Sequence, residues 1–128
     1  MIDAGLNELK HSFSEHSRAA QTGSSSSHFL LLFYAVECGL KACILKFYRK
    51  IKISQIKNQD ITTHDLAFLV QELKWRMKDI TFRLESGSAR SIGDAHQAWC
   101  YGVSIDGDDE KKVIEWLKQV QKKIKEEI

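Results

Sequence analysis

Apolar residues recur along this chain at intervals of three, four and seven, the spacing of helices with one buried face. Near the N-terminus, Ile2, Leu6, Leu9, Phe13 and Ala20 form one stripe, which predicts a helix over about 3–20. Gln21 to Ser27 reads as a short connector that ends in an N-cap serine. The next helix, over about 28–50, carries Phe29, Leu30, Leu32, Phe33, Val36, Leu40, Ile44, Leu45 and Phe47, which leaves few polar positions on any side. Such a helix belongs at the centre of a core. Gly39 within it lowers helix propensity and is expected to let a neighbouring helix come close.

The pattern loosens over 51–61, which reads as a connection. Thr62-Thr-His-Asp-Leu66 then opens a third helix, with Thr62 or Thr63 as cap and Asp65 in the first turn. Leu66, Leu69, Val70, Leu73, Met77, Ile80 and Leu84 carry that helix on to Ser86-Gly87-Ser88. His64, beside the cap, reads as a structural or surface histidine more readily than as a catalytic one. Asp94 and Gln97 fit a capping box for a short helix from 95 to about 101, which Gly102 stops. A last helix starts near Asp108 behind three acids and buries Val113, Trp116, Leu117, Val120 and Ile124. No strand-like alternation of useful length is evident. The expected fold is all-α, a single compact bundle of about five helices forming one domain over 1–128.

Composition agrees with a globular chain, at 43% apolar and 28% charged residues, and the absence of proline leaves every segment free to be helical. Cys38, Cys43 and Cys100 form an odd set without a Cys-x-x-Cys pair and read as reduced thiols of a cytoplasmic protein. The three cysteines and five histidines lack zinc-ligand spacing, so neither a metal nor another cofactor is expected. No secretory signal opens the chain, and the apolar run Phe29 to Val36 is too short to span a bilayer. The net charge of +2 decides little, but its distribution is uneven: Lys41, Lys46, Arg49, Lys50, Lys52 and Lys57 form a basic cluster without an acid among them. This cluster could meet RNA phosphates, although such a cluster is more often a solvated helix end.

The candidate chemistry lies in Ser88 to Gly102. On a continuous helix, Arg90 would point roughly 120° away from His96. The Gly93-Asp94 break lets the arginine return from a loop toward the first turn of the short helix, where free N–H groups offer a phosphate seat. There His96 can act as base or acid in RNA cleavage while Arg90 stabilises phosphorane charge. Glu37, once buried, needs a partner and becomes an auxiliary candidate, as does Tyr101 for holding RNA.

The stretch from His28 to Cys43, with its Tyr-Ala-Val-Glu core and Leu-Lys-Ala, resembles the second helix of the HEPN superfamily (higher eukaryotes and prokaryotes nucleotide-binding). Thr63 to Leu66 matches the helix start that follows in that family, and Trp99-x-Tyr101-Gly102 is similar to the fourth helix of one prokaryotic branch. The resemblance covers about 28–102. It implies a helical bundle that pairs as a homodimer, with activity of one of two kinds. Many members are metal-independent ribonucleases of defence or toxin–antitoxin systems, with arginine and histidine separated by four to six residues, a spacing that Arg90 and His96 meet. Others are noncatalytic modules for dimerisation, nucleotide or RNA binding, or docking on a protein partner or antitoxin. Ser91 and Cys100 stand where active members of these branches often carry other residues.

Overall fold

The computed structural model describes residues 2–57 and 60–128. Of the connection read over 51–61, residues 58 and 59 lie outside the described residues. The chain is mostly helical, with α1 (Leu6–Ala20), α2 (Ser26–Phe47), α3 (Leu66–Glu72), α4 (Ala95–Tyr101) and α5 (Gly107–Glu127). Between α3 and α4 lies an antiparallel hairpin, β1 (Thr81–Arg83) and β2 (Ala89–Ser91), in the register Thr81↔Ser91, Phe82↔Arg90, Arg83↔Ala89.

Helix α2 is the axis of the molecule and touches each of the other four helices. By length and apolarity its 22 residues would satisfy a bilayer-spanning pattern, longer than the run picked out from the sequence, yet most of that surface is covered by protein. Helices α1 and α5 cross it at Gly39, where an added Cβ would stand 2.7 Å from Phe13 Cδ1 and 2.8 Å from Ile124 Cγ2. The close approach expected of this glycine is therefore real. In α5 all five residues of the expected stripe are buried, and Trp116 Nε1 donates to the Lys78 carbonyl at 2.8 Å. In α1, Leu9, Phe13 and Ser17 face inward, whereas Ile2 lies ahead of the helix and is exposed.

The third helix departs most from the periodicity. It stops at Glu72, because Lys74 adopts a left-handed conformation (φ 58°) and reverses the chain. Lys74 N–H donates to the Gln71 carbonyl at 2.9 Å and Trp75 N–H to that of Val70 at 3.4 Å, the paired bonds of a Schellman stop. Glycine usually takes this position, so nothing in the sequence marks it. Arg49 (φ 56°) ends α2 in the same way, three residues before the expected boundary. Met77, Ile80 and Leu84 consequently belong to an extended segment and the hairpin rather than to a helix, and Ser86-Gly87-Ser88 forms the hairpin turn.

Three expected caps also differ. Helix α2 is capped by Ser25, so Ser26 and Ser27 at the end of the expected connector are already helical. Asp65 itself caps α3 by accepting from Phe68 N–H at 3.3 Å, while Thr63 Oγ1 accepts from Asp65 N–H. At α4 no capping box forms. A 3-10 turn over Ile92–Asp94 runs directly into the helix, and the Asp94 side chain makes no cap bond. The hairpin is tied to α5 through Asp109, whose carboxylate accepts from the Arg83 backbone N–H at 2.8 Å and the Arg83 guanidinium at 3.3 Å. These bonds, the backbone one foremost, hold the Asp109 carboxyl below its ordinary value.

Two glycine substitutions should act in opposite directions. Gly39→Ala gains about 1 kcal/mol of helix propensity but overpacks buried neighbours at about 1–3 kcal/mol, so a net loss is expected in urea unfolding. Lys74→Gly removes left-handed strain and should raise stability by about 0.5–1 kcal/mol in the same measurement.

Candidate functional site

Glu37 and Lys41 lie on the α2 face that meets α3 and α4. Both are buried, at 8% and 7% exposure, in a helix otherwise covered with apolar residues. An ionised carboxylate in such a place must be paired on both oxygens. Lys41 Nζ donates to Glu37 Oε2 at 3.0 Å, and His64 Nδ1 donates to Glu37 Oε1 at 2.6 Å. Among the described residues, no buried side-chain nitrogen or oxygen is left without a partner.

His64 comes from the segment just before α3, and its imidazole remains largely exposed. It leans on the His96 ring, with centroids 4.8 Å apart and planes at 42°. Gly93 makes this approach possible, since a Cβ there would come within 3.2 Å of the Asp65 Cα and 3.4 Å of the His64 carbonyl oxygen. His96 stacks on the buried Phe33 ring at 4.9 Å, and its Nδ1 lies 2.7 Å from the Gly93 carbonyl oxygen. A carbonyl and a carboxylate can only accept. Both imidazoles therefore carry hydrogen on Nδ1, which leaves Nε2 as the uncommitted nitrogen of each.

Tyr34 completes this cluster, with its ring 6.5 Å from that of His96. Burial, reinforced by Cys100 and Glu37, pushes the Tyr34 phenol upward. Burial likewise raises the Cys38 thiol and pushes Cys43 up to about 11, and all three cysteines are free. No group of three or more metal-ligating side chains occurs among the described residues.

Arg90 sits elsewhere. It is not on a loop but on β2, directly across from Phe82, and opposed residues in an antiparallel pair project from the same face. It lines a shallow groove of about 160 Å³ with Phe82, Leu84, Asp94, Gln97 and Tyr101. His96 does not line that groove, and no hydrogen bond or ion pair joins it to Arg90 among the described residues. The expected sites thus divide: Glu37 and His96 meet through His64, while Arg90 and Tyr101 meet over α4. His64 and Tyr34 were not singled out as site residues from the sequence. The one available signal was that a buried Glu37 would need a partner.

The basic cluster divides as well. Lys41 turns into the core, whereas Arg49, Lys50 and Lys52 stay exposed, as does Lys46 while its Nζ donates to the Glu127 carbonyl at 2.8 Å. Phe47, Tyr48 and Ile51 are exposed among them, a mixture of cations and large hydrophobic side chains at and just beyond the end of α2. No family model, curated protein or solved structure matches the chain.

The Glu37–Lys41 pair should behave as a unit. Glu37→Leu or Lys41→Met alone leaves one charge buried and should cost about 3–5 kcal/mol in chemical unfolding. The double variant should lose clearly less than the sum of the two.

Proposed function

We propose that this chain is a metal-independent endoribonuclease of HEPN-like type, working as a homodimer in a prokaryotic defence or toxin–antitoxin setting, with His64 and His96 as its acid–base pair. The supporting observation is that two imidazoles 4.8 Å apart each have Nδ1 engaged by an acceptor-only group. His64 Nε2 takes the 2′-hydroxyl proton, and Glu37 holds the ring in orientation and stabilises the imidazolium that forms. The 2′-oxygen attacks phosphorus, the bond to the 5′-oxygen breaks, and His96 in its imidazolium form gives that oxygen a proton. The products are a 2′,3′-cyclic phosphate and a 5′-hydroxyl end. Acid and base are both side chains, so the step uses no metal. Exposed Arg49, Lys50 and Lys52 supply charge for the RNA backbone. The resemblance of 28–102 supplies the HEPN part of this reading, including the second copy, while the three cysteines read as reduced thiols supply the cytoplasmic setting. On a single chain Arg90 takes no part in the proton transfers.

A second reading, a noncatalytic RNA-, nucleotide- or partner-binding module, draws support from the Arg90–Tyr101 groove, which excludes both histidines. Turnover separates the two. Purified protein in EDTA should cleave single-stranded RNA to cyclic-phosphate ends with a bell-shaped pH–rate profile, and His64→Ala and His96→Ala should each slow it about 10²–10⁴-fold. Undiminished cleavage by the doubly substituted protein, or binding without any cleavage by the unaltered one, would overturn the enzyme.

A further inference from the structure

The groove over α4 has side chains that the fold leaves unused. Asp94 occupies the position before α4, where a carboxylate ordinarily caps the helix, yet its side chain makes no cap bond. Neither Arg90, Asp94 nor Gln97 has a side-chain hydrogen bond or ion pair among the described residues, and all three line one groove. Asp94, Gln97, Ala98 and Tyr101 fall at i, i+3, i+4 and i+7 and so share one face of the helix. The floor is apolar, with Phe82 at 1% exposure and Ala98 also buried, and Tyr101 stands at the edge at 76%. A buried apolar floor, an exposed aromatic ring and uncommitted polar groups of both signs describe a site for a flat heterocycle with a polar edge. The volume of about 160 Å³ suits a single ring system, being well under the roughly 300–1,000 Å³ of sites for drug-sized ligands.

We propose that this groove is a guanine-binding subsite, in which Tyr101 stacks on the base, Asp94 accepts from N1–H and the N2 amino group, and Arg90 donates to O6 and N7. Guanine offers adjacent donors on one edge and adjacent acceptors on the next. A carboxylate and a guanidinium meet both edges at once. Adenine sets its amino group where the guanidinium needs an acceptor, and cytosine has a single donor group for the carboxylate. Gln97 leaves an amide at the rim for the sugar. Tyr101 lies five residues beyond His96, about 7–8 Å along the helix axis, and His96 points roughly 100–160° round from the groove. Resting on the nuclease reading for its role but not for its chemistry, the subsite would hold the guanosine next to the phosphodiester presented to His64 and His96.

The test is titration of the full-length protein by calorimetry with 3′-GMP, 3′-AMP and 3′-CMP. Alongside these go uncleavable 2′-O-methyl hexauridylates bearing one guanosine, inosine or adenosine. Guanine should bind on the order of tenfold or more tightly than the other bases, with inosine between, because it lacks the N2 amino group. Asp94→Ala should abolish the preference, and Tyr101→Ala should weaken all bases together by about tenfold, with folding checked by circular dichroism. Tighter binding of the guanosine oligomer than of 3′-GMP identifies an RNA strand as the source, and equal binding a free nucleotide; both support the subsite. Equal affinity for the three nucleotides, or a guanine preference that survives Asp94→Ala, would overturn it. Guanine-selective binding without cleavage would remove the nuclease and keep the subsite, whereas cleavage without base preference would do the reverse.

Discussion

A carboxylate in the middle of an apolar helix must have partners for both oxygens, and Glu37 has them. Lys41 takes one oxygen from a turn further along α2, at little entropic cost because the two residues are neighbours on the helix surface. The other oxygen requires a donor from a different element, and His64 supplies it from the start of α3. That bond pins the N-terminal end of α3 to the central helix, and with it the whole approach of α3 to α4. Replacing the pair by well-packed apolar residues would keep the core at similar stability. What the charges add is orientation, since only a hydrogen-bonded partner fixes which nitrogen of His64 carries the proton.

The packing around this network is equally specific. Gly93 meets the backbone at Asp65 so closely that a larger residue would push α4 away, and His96 follows Gly93 by three residues, its ring tied back to that glycine's carbonyl. His64 then lies against His96, which itself rests on Phe33 with Tyr34 beside it. The opposite side of the short helix faces the hairpin, where Phe82 closes the core and Arg90 covers it from the adjacent strand. Helix α4 thus separates two chemically different surfaces within a few residues of sequence. One carries two imidazoles, and the other an exposed aromatic ring together with an arginine and an aspartate.

Helices α1, α2 and α5 were legible in the apolar pattern because each is long enough for periodicity to dominate, and in each the core is one face or nearly the whole surface. Gly39 was legible for the same reason, as an interruption inside a strong pattern. The region between Leu73 and Ala95 was not. Its apolar residues at heptad-like spacing suit a helix and a buried hairpin equally, and the residue that decides between them, Lys74, takes a left-handed conformation that lysine rarely adopts. Strands of three residues are too short for alternation to register. Arg90 moved from a loop to a strand as a direct result, and its neighbours changed with it.

The chain's local chemistry determined which segments could be helices, that α2 would be central, and that Glu37 would need a partner if buried, because these follow from periodicity and from the cost of desolvating charge. Local helix geometry supplied Lys41 for one oxygen, and tertiary structure decided the partner of the other. His64 and His96 are separated by a hairpin and come together only because α3 and α4 pack on the same face of α2 with a glycine between them. Such contacts depend on the path of the backbone, and that path turned on a conformation at Lys74 that the sequence does not display.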